Sequence, residues 1–339
     1  VYKRQDNIIV TILEPAPLVA SITGNTDVTI NGAADGTATS SAVGGTPAYS
    51  YTWHNGCPPG TAIGQTTAGA TGLAAGDYSV IVQDSKGCLD TVCTTISEPT
   101  TLSIVETITD VTCFGGTDGE ITILVSGGVP GYTYAWFDAA NNPLGQTGIT
   151  ATGLAAGDYY VIVTDQNGAT QQSANYTVAE PTQLVLVTSV TSNYNGADIS
   201  CFGSCDGGAD VSVTGGTTPY AYAWDAAAGS QTTAAITGLC AGTYTVDVLD
   251  GNNCPSSQTI TLTEPTQLTN TPSQVDASCF GTCDGEATTS AAGGTAPYTY
   301  QWNDPALSTT ASITGLCAGT YDVTVTDVGS GCVQTFNYV

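Results

Sequence analysis

What most constrains this chain is repetition: one set of landmarks returns four times in fixed order. Each unit carries a Gly-Gly pair, a Tyr-x-Tyr-x-Trp run, a Thr-Gly-Leu turn, an Ala-Gly-x-Tyr run, an Asp-bearing loop and a Glu-Pro junction. The Glu-Pro steps are Glu14-Pro15, Glu98-Pro99, Glu180-Pro181 and Glu264-Pro265, spaced 84, 82 and 84 residues apart. A period that long describes an array of small domains, each large enough to hold a core. The steps divide the chain into repeats at 15–98, 99–180, 181–264 and 265–339. Residues 1–14 read as the terminal strand of a preceding repeat, and the opening Val-Tyr-Lys-Arg-Gln is foreign to the pattern.

Within a repeat the apolar period is two. Tyr244, Val246 and Val248 alternate with Thr245 and Asp247, and Tyr132, Tyr134 and Trp136 with Thr133 and Ala135, as do Tyr298, Tyr300 and Trp302 on their strand. Strands with one buried face follow. Turn signals separate about seven short strands per repeat, the pattern of an immunoglobulin-like antiparallel β-sandwich, so the fold class is all-β, a tandem array forming an elongated rod. Tyr78, Tyr159, Tyr244 and Tyr321 stand where such domains place a tyrosine corner. The Glu-Pro steps run from last strand to first without a flexible tether, and proline restricts both itself and its predecessor, which predicts stiff joints and a rod on the order of 150 Å.

Charge removes several functions. Twenty-nine acidic residues face Lys3, Arg4 and Lys86, for a net charge of −26. Such a chain cannot replace the counterions of nucleic acid or be drawn to anionic lipid, and no apolar run is long enough for a spanning helix. Neither nucleic acid nor direct membrane insertion is expected. One lysine within the array also rules out lysine-asparagine isopeptide bonds as a general device.

Twelve cysteines point to disulfides and an oxidising, extracellular setting. Cys205 and Cys240 occur together in the third repeat, Cys283 and Cys317 in the fourth, and both positions lose their cysteine in the other two. Co-occurrence predicts Cys205–Cys240 and Cys283–Cys317, leaving Cys201–Cys254 and Cys279–Cys332. Cys57 and Cys93 are candidate partners; Cys88 and Cys113 are either partners or free.

No cofactor or catalytic centre is expected: His54 is the lone histidine and recurs in no other repeat. Structural calcium is the alternative to weigh. Asp118 with Glu120, Asp206 with Asp210, and Asp284 with Glu286 flank Gly-rich turns, and Asp84, Asp165, Asp250 and Asp327 recur in a second loop; oxygen-rich loops suit a hard cation, though Asp before Gly is also ordinary turn chemistry. Trp53, Trp136, Trp224 and Trp302 alternate in phase with tyrosines, as core residues do. Exposed on a shared face, they would instead serve a carbohydrate-binding array of a secreted polysaccharide-degrading enzyme.

The ends are out of phase with the repeat. Asn7, Ile8, Ile9, Val10, Thr11, Ile12, Leu13 and Glu14 read as a last strand without its repeat. Two explanations follow: a window on a longer array, favoured because the fourth repeat keeps most of its own last strand, or a polymerisation strand that completes another subunit's sheet.

The combination Cys113-Phe114-Gly115-Gly116-Thr117-Asp118-Gly119, Gly127-Gly128-Val129-Pro130-Gly131-Tyr132-Thr133-Tyr134-Ala135-Trp136, Thr152-Gly153-Leu154-Ala155-Ala156-Gly157-Asp158-Tyr159 and Glu180-Pro181 resembles the SprB repeat of large secreted adhesins and filament proteins of Bacteroidetes-type bacteria. The resemblance implies type IX export and a non-enzymatic structural or adhesive role at the cell surface or in an extracellular filament. Its implied partners are other copies of itself, adjoining repeats of a longer chain, and surface glycans or other cells. The first repeat departs from it, with Asn31-Gly32-Ala33-Ala34-Asp35-Gly36 in place of Cys-Phe-Gly.

Overall fold

The structure is a computed structural model that describes residues 9–338. Asn7 and Ile8 of the expected terminal strand lie outside the described residues, while Ile9 to Glu14 carry no strand structure and are exposed. The chain divides into two compact units. One holds the chain up to Asp110 with Thr117–Ala179, and the other holds Val111–Gly116 with the chain from Glu180 onward.

The first repeat contains β1 (Val19–Thr26), β2 (Gly36–Val43), β3 (Ser50–Asn55), β4 (Gly69–Leu73), β5 (Gly76–Gln83) and β6 (Leu89–Ile96). They form two antiparallel sheets ordered β1-β2-β4 and β3-β5-β6. Chain order against sheet order is that of the immunoglobulin-like sandwich without its fourth strand. The second repeat contains β7 (Ser103–Thr109), β8 (Gly119–Ser126), β9 (Thr133–Asp138), β10 (Thr150–Leu154), β11 (Gly157–Thr164), β12 (Thr170–Gln172) and β13 (Tyr176–Val178). Its last strand is broken where the Ser173 hydroxyl takes the Val161 N–H. The third contains β14 (Val185–Val190), β15 (Gly207–Thr214), β16 (Ala221–Trp224), β17 (Ala235–Leu239), β18 (Gly242–Leu249) and β19 (Pro255–Leu262). The fourth contains β20 (Thr269–Val275), β21 (Gly285–Ala292), β22 (Tyr298–Trp302), β23 (Ser312–Leu316), β24 (Tyr321–Asp327) and β25 (Val333–Tyr338). Each of these repeats has the same two-sheet order.

Six strand positions stand where about seven were expected, the last of them split into β12 and β13 in the second repeat. The segment after β3 pairs back on it briefly, with Asn55 N–H to the Thr61 carbonyl, Ile63 N–H to the Trp53 carbonyl and Trp53 N–H to the Gln65 carbonyl, and then crosses to the other sheet as a loop.

The core of each repeat is built on its tryptophan, with Trp53, Trp136, Trp224 and Trp302 at 0, 1, 3 and 1% exposure. Burial would orphan the indole N–H, but each donates to a carbonyl of the crossing loop, that of Thr67, Gly148, Thr233 or Thr310. The expected tyrosine corner is present four times. The hydroxyls of Tyr78, Tyr159, Tyr244 and Tyr321 donate to the carbonyls of Ala74, Ala155, Cys240 and Cys317 at 2.8–3.1 Å.

The Gly-Gly pair explains itself at Gly44 and Gly45. Both have positive φ, and a Cβ on Gly44 would strike the Pro17 carbonyl while one on Gly45 would lie 2.8 Å from Asp84 Oδ2. Gly45 N–H donates to the Ala16 carbonyl, so the turn is tied to the residues following the junction proline. Gly128, Gly216 and Gly294 repeat this bond to Thr100, Thr182 and Thr266.

Candidate functional site

At each repeat the loop after the fifth strand is organised by one buried aspartate. Asp84 Oδ2 accepts the Thr46 N–H, and its Oδ1 accepts those of Lys86 and Cys88. Asp165 does the same with Val129, Asn167 and Ala169, and Asp250 with Thr217, Asn252 and Cys254. Asp327 accepts the N–H groups of Thr295 and Ser330. Each carboxylate knots its loop to the Gly-Gly turn, and its ionised form is favoured: the Thr46 and Val129 N–H groups foremost hold Asp84 and Asp165 below the ordinary carboxylate value. At Asp250 and Asp327 the largest single influence is burial, which pushes upward, but the hydrogen bonds together outweigh it and the net direction is again down. These four are loop braces, with their oxygens already taken.

The Asp-Gly turn before the second strand of each repeat is also self-contained. Asp206 Oδ1 accepts the Ser200 N–H, and Asp284 accepts the N–H and hydroxyl of Ser278. Glu120 and Glu286 take hydroxyls on their own strands, from Thr122 and Thr288, and Asp210 lies on β15 between Ser189 and Ala235. Asp118 has a polar partner as well. Among the described residues no three His, Cys, Asp or Glu side chains cluster as a metal site would require. His54, half-buried near the end of β3, meets the Gly60 carbonyl through its Nδ1.

The recurrent feature that reaches beyond a single repeat is the joint. In the first unit, the loop between β1 and β2 meets the Glu98-Pro99 junction: Gly32 N–H donates to Glu98 Oε2 at 2.6 Å, Asn31 Nδ2 to the Pro99 carbonyl, and Ser97 N–H to Asp27. Asn167, from the aspartate-braced loop of the second repeat, then donates to the Thr29 carbonyl at 2.9 Å. In the second unit the equivalent loop between β14 and β15 gives Gly203 N–H to Glu264 Oε2 at 2.6 Å and Asp198 accepts the Thr263 N–H. There a disulfide, Cys201–Cys332, fastens that loop to the loop between β24 and β25. Segment Val111–Gly116 repeats the scheme within the same unit. Gly115 N–H donates to Glu180, Asn252 Nδ2 to the Thr112 carbonyl, and Cys113 is bonded to Cys254.

The structure therefore corrects two disulfides. Cys201 does not join Cys254, nor Cys279 Cys332; the bonds are Cys113–Cys254 and Cys201–Cys332, and Cys279 is an exposed free thiol. The reason is distance. Within the third repeat, Cys201 lies at the end of the sandwich where β18 begins and Cys254 follows the end where it finishes, eight residues or about 26 Å away. A disulfide requires Cα atoms within about 7 Å. Sequence reasoning paired the cysteines by repeat and missed that the two loops face different neighbours. Cys205 is bonded to Cys240, Cys283 to Cys317 and Cys57 to Cys93, while Cys88 is an exposed free thiol. In the first joint Ile30 and Ala169 hold the positions of the cystine and line one cavity. Their joint presence is the signal that marks these positions as partners.

The family model described as SprB repeat matches residues 25–57, 105–141, 193–229 and 271–307. Each match begins within the first strand or shortly after it, spans the second, and runs just beyond the tryptophan strand. No curated protein is similar enough in sequence to count as a relative. Among solved structures, the N-terminal eight Ig domains of Down Syndrome Cell Adhesion Molecule align over 95% of this chain and 60% of that one, at 11% identity and TM-score 0.31. A tetra-tandem repeat in the extending region of a large adhesion protein aligns over 95% and 97%, at 16% identity and TM-score 0.30.

Proposed function

We propose that this chain, which carries four SprB repeats and belongs with that family, is a non-enzymatic extracellular structural segment: a stiff stalk of a cell-surface adhesin or filament. The observation that carries the reading is the joint. A junction glutamate clamps the end of one repeat, and a loop of the next is fastened to it by a disulfide between residues 131 apart in sequence. A linker meant for flexible display would be a polar, unbonded tether. Closing a loop of that length stabilises by about 5 kcal/mol on the chain-entropy account, and such bonds persist only in an oxidising compartment. With 29 acidic residues against three basic ones, the surface is strongly hydrated, self-repelling and nearly free of tryptic sites.

The carbohydrate-binding alternative loses its main support, because the recurrent tryptophans are buried and cannot stack on a sugar. Immunogold labelling of intact producing cells tests the reading. Label on the outer surface or on filaments is expected, and label confined to the cell interior would refute it.

A further inference from the structure

Three disulfides of the second unit overlap in sequence. Cys113–Cys254 and Cys201–Cys332 interleave, and Cys205–Cys240 lies within both closures. Together they open a covalent route from Cys113 to Cys332 that is far shorter than the polypeptide. Cys113 crosses to Cys254, the backbone leads back to Cys240, and a second bridge reaches Cys205. A few residues of backbone then arrive at Cys201, and the third bridge ends at Cys332. The route uses eighteen positions of backbone, fourteen between Cys254 and Cys240 and four between Cys205 and Cys201, against 219 positions from Cys113 to Cys332 along the sequence.

The fold lays this route almost straight. β18 fills eight of the fourteen positions between Cys240 and Cys254, and as a strand it is already extended over about 26 Å. It is the middle strand of its sheet, paired with β16 on one side and β19 on the other. Cys205–Cys240 stands at the end where β18 begins and Cys113–Cys254 at the end where it finishes, so the route crosses the third repeat lengthwise with little slack. Off the route lie residues 114–200, 206–239 and 255–331, which hold every strand from β8 to β24 except β18.

A pulled chain lengthens only when backbone along the line of force comes free, so unfolding the strands off the route adds no length. The first repeat is built otherwise. Its bridge, Cys57–Cys93, closes only 36 residues of its own, and Ile30 and Ala169 stand where a cystine would join it to the second.

We propose that the three bridges form a tension bypass. Force passes from Cys113 to Cys332 through disulfides and the backbone of β18, and the strands off the route are not drawn out. Fully extended, the route spans about 80 Å, at about 3.5 Å per position and about 6 Å per bridge, whereas the bare polypeptide between the same residues reaches about 770 Å. The bypass deepens the stalk reading, because a chain held in tension is what has use for it, but it stands on connectivity alone: label confined to the cell interior would refute the stalk and leave the bypass in place.

The test stretches single molecules of the full oxidised chain, held at its two ends, to their limiting extension. That limit depends on covalent connectivity and not on whether a substituted repeat is folded. Cys113→Ser leaves as the shortest route 88 positions of polypeptide to Cys201 and one bridge, so its limit should exceed that of the unaltered chain by about 240 Å. Cys254→Ser should match it. Cys283→Ser, which removes a bridge off the route, should change nothing. A thiol reductant added to the stretched unaltered chain should release at least about 690 Å more. Equal limits for the unaltered chain and Cys113→Ser overturn the proposal, as does an unaltered chain that reaches its reduced limit without reductant. Lengthening by Cys283→Ser also overturns it, since force would then be crossing the fourth repeat.

Discussion

Five residue positions do the repeated work of each repeat: tryptophan, corner tyrosine, the two glycines of the Gly-Gly pair and loop aspartate. Trp224→Ala should destabilise its repeat by about 3–5 kcal/mol through the cavity left in a closed core, read as a lower thermal midpoint. A glycan-stacking residue would instead lose binding without loss of stability. The loop aspartates set the acid limb of stability. Their folded pKa values lie below the ordinary 3.8, so the folded state binds fewer protons than the unfolded chain and the contribution is present above that value. It is lost as pH falls through the folded values. The melting temperature should therefore be flat near neutrality and drop below about pH 4, and Asp250→Asn should flatten that acid limb while lowering stability at pH 7.

Strand positions were legible because period-two alternation reports directly on burial, as in Tyr244, Val246 and Val248, all buried on β18. Turns were legible as well, since Gly44 and Gly45 must adopt backbone that other residues resist. The seventh strand failed because the crossing loop is rich in threonine and glycine and reads like strand and turn alternately. The two corrected cysteine pairs failed for a different reason. Spacing shows that Cys201 and Cys254 belong to one repeat but not that β18 separates them, nor that each loop meets a neighbour. Glu264 shows the same limit: a Glu-Pro step predicts a stiff junction, while the clamp on Gly203 is a tertiary fact. Glu264→Gln keeps the shape but replaces a charge-assisted acceptor with a neutral one, and should weaken the joint by about 1 kcal/mol. Faster amide exchange at Gly203, with the cores of both repeats unaffected, would report it.

At the scale of the molecule, stability divides between repeats that hold their own cores and joints that fasten one repeat to the next. Disulfides follow the same division. Cys57–Cys93, Cys205–Cys240 and Cys283–Cys317 close loops of 34 to 36 residues inside a repeat, whereas Cys113–Cys254 and Cys201–Cys332 close 141 and 131. Reduction should therefore loosen joints and lower the melting temperature, with the loss of the long closures costing about 5 kcal/mol each on the chain-entropy account. The two long-range disulfides staple loops of different repeats, and disulfide mapping of the unreduced chain after non-tryptic digestion tests this most directly. Linked peptides joining Cys113 to Cys254 and Cys201 to Cys332 are the predicted result; peptides joining Cys201 to Cys254 and Cys279 to Cys332 would contradict it.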